Sequence, residues 1–104
     1  MSDEPTIVIF DFPARPPGGP EQAAALRALA EDIAAEPDLL WKIWIEERAG
    51  GRAGGIYLFR SRAAAEAYHA KHAARLAAMG IQGIEATYRS INAPLTAITR
   101  GPVA

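Results

Sequence analysis

Residues 39–59 read LLWKIWIEERAGGRAGGIYLF, two runs of β-branched, aromatic and aliphatic residues around a glycine-rich centre. Such runs favour strands, and glycine supplies the positive φ or bulge that a turn between them needs. The stretch therefore predicts a hairpin, with strands over Leu39–Arg48 and Ile56–Arg60 joined by the AGGRAGG turn. Neither strand alternates cleanly between apolar and polar. The first has Leu39, Trp41, Ile43 and Ile45 at odd positions, yet Leu40 and Trp44 at even ones. The second sets Ile56 and Leu58 against Tyr57 and Phe59. A half-exposed antiparallel sheet alternates apolar-in and polar-out, so both faces of this hairpin need a cover.

The flanking segments supply one cover. Upstream, Thr6–Phe12 (TIVIFDF) is another strand, with Val8, Phe10 and Phe12 on one side and Ile7 and Ile9 on the other. The PARPPGGP stretch after it is a stiff connector. Pro20 then suits the first helical position and Glu21 the positive helix end; Leu26, Leu29, Ala30 and Ile33 recur at helical spacing, and Pro37 closes the helix near Glu36. Downstream, Ser61 is placed to cap a helix running to Met79, with Gly80 as its stop. Ile84–Ile91 reads as a fourth strand and Asn92–Ala104 as an irregular tail. The order βαββαβ gives an α+β domain over residues 1–104, an antiparallel sheet with two helices on one face and strands one and three at its centre. Two short helices cover only one face. The other predicts a second copy, a homodimer with its sheets face to face.

Composition removes several function classes. The chain has 104 residues, half of them apolar, with 11 basic and 12 acidic side chains and a net charge of -1. That balance lacks the electrostatic footprint of a nucleic-acid binder. The RNA-recognition motif shares this element order, but its stacking positions would fall on Gly54 and Ile56, which cannot stack a base. Without cysteine there is no disulfide, thiolate zinc site or iron–sulfur cluster. The apolar runs fall short of the ~20 residues that span a bilayer, so no membrane partner is expected. Asp3 and Glu4 replace the basic start of a secretory signal, and a cytoplasmic protein is expected.

Candidate chemistry sits on the second helix. Ala64, Tyr68, His72, Leu76 and Met79 share one face, which must point at the sheet. His72 is thus aimed inward and needs a partner, either a backbone carbonyl within the core or a cavity in which it moves protons. Glu66, His69 and His72 have metal-compatible spacing, but His69 is rotated off the stripe and reads as solvated. Trp41 and Trp44, three apart on a strand, face opposite ways, and the sequence leaves open which one meets the helices. Lys42 and Glu46 share the parity of Trp44 and read as a charge pair on the interface face. The paired glycines precede no helix and carry no trailing lysine, so they do not form a phosphate loop.

The segments LLWKIW, AGGIYLF and AYHAKHAARL, in this order and spacing, resemble the YdhR-type monooxygenases of the dimeric α+β-barrel group. The likeness runs from the first strand to the INAPLTAI tail. It implies a ferredoxin-like protomer, a homodimer joined through its sheets, and a pocket between sheet and helices. Related enzymes oxidise small electron-rich aromatics, of the phenol or quinol type, with dioxygen and no cofactor. Carried over by position, His72 and Tyr57 become the catalytic candidates. Trp41 or Trp44, Tyr68, Phe59 and Arg75 become substrate-binding ones, and no metal or cofactor ligand is assigned. The group also suggests a non-oxidative isomerase or a non-catalytic binding or stress-response dimer as alternatives.

Overall fold

The computed structural model describes residues 4–14 and 19–102. Its elements run β1 (Thr6–Pro13), α1 (Pro20–Ala34), β2 (Leu39–Glu47), β3 (Arg52–Phe59), α2 (Arg62–Ala78), β4 (Glu85–Ser90) and α3 (Ala93–Ile98). The four strands form one sheet in the order β2-β3-β1-β4, antiparallel throughout, with β1 and β3 central as expected. This is the α+β, ferredoxin-like arrangement.

Local chemistry accounts for most boundaries. Pro20 opens α1, and the Ser61 hydroxyl accepts from the Ala64 amide at the start of α2. After α2, Gly80 takes φ 88°, a conformation that side chains with a Cβ resist. Two boundaries differ from the sequence reading. The strand β3 begins at Arg52, so Gly54 and Gly55 lie inside the sheet and the turn shrinks to the residues around Gly51, at φ 67°. The tail carries a further short helix, α3, capped by the Asn92 side chain on the Leu95 amide. Pro94 fits its first turn, which the reading of an irregular tail had overlooked.

Register fixes which side chains share a face. One row across the sheet is Lys42, Tyr57, Val8 and Tyr88, and the next is Trp44, Gly55, Phe10 and Ala86. Both rows face the helices. The core there comprises Val8, Phe10, Phe12, Tyr57 and Phe59 from the strands, Ile33 from α1, and Ala65, Tyr68 and Leu76 from α2. Met79 does not complete the α2 stripe; it stands at the helix end, exposed, and Ala65 is the buried small residue instead. On the opposite face run Ile43, Ile56, Ile9 and Thr87. Ile43 is 52% exposed, while Leu58 in the next row is fully buried. The Trp41 indole donates to the Pro102 carbonyl at 3.1 Å, so the end of the described chain crosses one edge of this face. No helix among the described residues is long and apolar enough to cross a membrane.

Candidate active site

The helix face of the sheet and the inner face of α2 enclose a cluster of rings. Phe10 lies edge-on to Tyr57, Tyr68 and His72, with centroids 5.5, 6.1 and 5.2 Å away. Tyr68 is nearly parallel to His72 at 5.0 Å and tilted against Tyr57 at the same distance. Tyr57 and Phe59 stack at 6.2 Å. The Tyr68 hydroxyl donates to the Tyr57 hydroxyl over 3.4 Å. Burial raises the pKa of both phenols, so each remains protonated at neutral pH.

His72 is buried in this cluster, and its partner is Arg75, one turn along α2. Arg75 reaches His72 Nδ1 through Nε at 3.2 Å and Nη2 at 2.9 Å, while its Nη1 binds Asp32 of α1 at 2.6 Å. A guanidinium only donates, so Nδ1 must accept and the neutral imidazole carries its proton on Nε2. Loss of water on burial, then the charges of Arg75 and Lys42, bring the His72 pKa down to about 3. The ring is neutral. The partner of Nδ1 is thus a guanidinium and not a backbone carbonyl.

Lys42 sits beside these groups, on the face turned to the helices. Its Nζ lies 3.3 Å from the centroid of Trp44 and 4.6 Å from that of Tyr57. Space for its stem exists because position 55 is glycine: a Cβ there would meet Lys42 Cε at 2.6 Å and Tyr57 Cε1 at 3.0 Å. The expected pair with Glu46 does not form, since Glu46 bonds to Arg48 at 2.5 Å. Lys42 has no acidic partner among the described residues. Burial, then the Arg75 charge, bring its pKa from 10.5 down to about 7. Contact with the ring faces favours the ammonium by only about 0.5–2 kcal/mol. At neutral pH the amine is therefore available both as a base and as a cation.

Tyr57, Tyr68, Phe59, His72, Arg75 and Trp44 come together on the helix side. Trp44 is the tryptophan that faces the site, and Trp41 lies on the opposite face. A cleft of about 210 Å³ is lined by Tyr68 and Phe59 together with Glu36, Asp38, Ala64 and Lys71. His69 is not free in solvent but bonds through Nδ1 to the Tyr88 hydroxyl at 2.7 Å, and Glu66 pairs with Arg62. No group of three potential metal ligands occurs among the described residues. Much of the 13–20 connector, including residues 15–18, lies outside the described residues, and with it any role as a gate. Sequence reasoning missed Lys42 as a site residue. The available signal was the glycine pair in the facing strand, which leaves a trench for a long side chain next to an aromatic one.

A comparison with family models bears on this site. The model described as "ydhR: Putative mono-oxygenase ydhR" matches residues 7–102. No curated protein matches the chain. The match takes in all four strands, both long helices and every side chain of the cluster, and on that ground the chain belongs to the YdhR family.

Proposed function

We propose that this protein is a cofactor-independent monooxygenase that joins dioxygen to a small electron-rich aromatic of the phenol or quinol type. The family's description supports oxygenase chemistry. The observation that carries the finer reading is the placement of the Lys42 amine, with no acidic partner among the described residues, against the aromatic faces of Trp44 and Tyr57 beside the Arg75 guanidinium. Such a wall binds an aromatic ring, and the amine accepts the acidic proton that the ring must lose before it can reduce dioxygen. The resulting ammonium and Arg75 then stabilise the anion.

The residues divide the work as follows. Lys42 takes the proton. His72, held neutral with its proton on Nε2, and Tyr57, held protonated, are hydrogen-bond donors to developing negative charge. Trp44 is the exposed face of that wall, Phe59 and Tyr68 pack against Tyr57 and line the cleft, and Arg75 orients His72 while adding charge. For a ring methylene next to the phenolate, the carbon is oxidised to a carbonyl by four electrons. One oxygen atom stays in that product and the other leaves as water, so the substrate supplies every electron and no external reductant is consumed. The isoleucine-rich open face supports a homodimer packed sheet to sheet.

Oxygen uptake with a panel of hydroxynaphthalenes and anthrones tests the reading. Turnover is expected, falling at least about 100-fold in Lys42→Met and roughly 10-fold or more in Tyr57→Phe. Turnover that persists without oxygen, or binding with no oxygen consumed by any member of the panel, would overturn it.

A further inference from the structure

The sequence contains two lysines, Lys42 and Lys71, and the fold treats them in opposite ways. Lys71 stands on the exposed side of α2 and pairs with the Glu36 carboxylate. Lys42 has no carboxylate among the described residues, is half-buried, and presents its nitrogen to two ring faces next to a guanidinium charge. Removal of water and a neighbouring cation are the two conditions that leave a lysine uncharged and nucleophilic.

We infer that the Lys42 amine is a covalent capture site for carbonyl compounds, forming an imine with an aromatic aldehyde or ketone whose ring lies against Trp44. The Nζ lone pair attacks the carbonyl carbon, and the carbinolamine that results loses water. Both amine hydrogens depart with the carbonyl oxygen, a carbon–nitrogen double bond replaces the carbon–oxygen one, and no electron is transferred. The Trp44 ring selects the ligand class: its exposed face contacts a flat aromatic group and offers an aliphatic carbonyl nothing comparable, while the buried Tyr57 ring backs the amine. Trp44, 43% exposed, leaves the approach to the amine open from the β2 edge of the sheet. This capture needs only the amine and its walls, and it does not depend on the oxygenase reading.

The test is reductive trapping of the full chain under argon at neutral pH, using 2-naphthaldehyde and sodium cyanoborohydride, with peptide mass mapping over time. Lys42 is expected to label on the order of 10-fold faster than Lys71, the more exposed of the two. Replacing naphthaldehyde by butyraldehyde is expected to slow Lys42 and not Lys71, and Trp44→Ala to erase that preference. Labelling of Lys71 as fast as Lys42 in the unsubstituted protein, or equal rates for the two aldehydes at Lys42, would overturn the inference. Since oxygen is excluded, neither result touches the monooxygenase assay, and a failure of that assay leaves this one standing.

Discussion

The Arg75 guanidinium donates two of its N–H groups to the single Nδ1 of His72, at 3.2 and 2.9 Å. A histidine in this position has lost its choice of tautomer and, with burial, most of its basicity. Nitrogen-15 NMR should accordingly show the Nε2–H tautomer and no titration of His72 between about pH 5 and pH 8. Arg75→Met removes the charge but not the burial, so the His72 pKa should rise without recovering its usual 6.5. A His72 resonance titrating near 6.5 in the unsubstituted protein would contradict this.

The same depression dictates a pH dependence of stability. In the unfolded chain His72 binds a proton below about 6.5, whereas in the folded chain it does so only below about 3. Between these values the unfolded state holds more protons, so stability is lost as pH falls from 6.5 towards 3. The slope from this one group is at most about 1.4 kcal/mol per pH unit. Urea unfolding of His72→Leu across that window should show a shallower pH dependence than the parent; an identical dependence would sink the assignment.

Neighbouring glycines of β3 should fail in different ways. A Cβ on Gly54 would lie 1.9 Å from the Phe10 carbonyl oxygen, which belongs to the paired strand and cannot swing aside. Gly54→Ala is expected to destabilise the fold by about 3 kcal/mol or more. A Cβ on Gly55 meets side chains instead, the flexible stem of Lys42 at 2.6 Å and, less severely, the Tyr57 ring at 3.0 Å. Gly55→Ala should therefore cost stability far less, while lifting the amine off Trp44 and raising its pKa back towards 10.5. Thermal melts with pH-dependent acylation of Lys42 separate the two; equal losses of stability would refute the distinction.

Ile43 lies on the open face in the row with Ile56 and Ile9 and is half exposed in a single chain. Ile43→Asp should convert the proposed dimer to an 11.1 kDa species in sedimentation equilibrium while the far-ultraviolet circular dichroism stays unchanged. An unsubstituted protein that sediments as a monomer at micromolar concentration would remove the dimer itself.

The parts of this molecule legible in the sequence are those governed by local rules. Ser61 and Gly80 mark the ends of α2 by chemistry confined to one helical turn, and the spacing of Tyr68, His72 and Leu76 aims them inward whatever lies opposite. The parts that escaped depend on partners distant in the chain. Gly54 and Gly55 read as turn residues, but they are strand residues whose missing side chains make room for Phe10 backbone and Lys42 stem. Lys42 looked like half of a surface pair because only cross-strand register reveals that it opposes Tyr57. His72 was correctly turned inward, yet its partner could not be named, since Arg75 is fixed in part by Asp32 on another helix. The choice between Trp41 and Trp44 likewise awaited the face that α2 covers.

The Asp32–Arg75 bond has a mechanical consequence. Ile33 is the buried residue of α1 and Leu29, one turn earlier, packs partly buried against the same core, so a narrow apolar strip and this ion pair tie the helix to the rest of the molecule. The guanidinium that, after burial, lowers the basicity of His72 thereby also ties α2 to α1. A local opening of α1 would break this ion pair, so exposure of the ring cluster and the setting of the guanidinium beside His72 are linked.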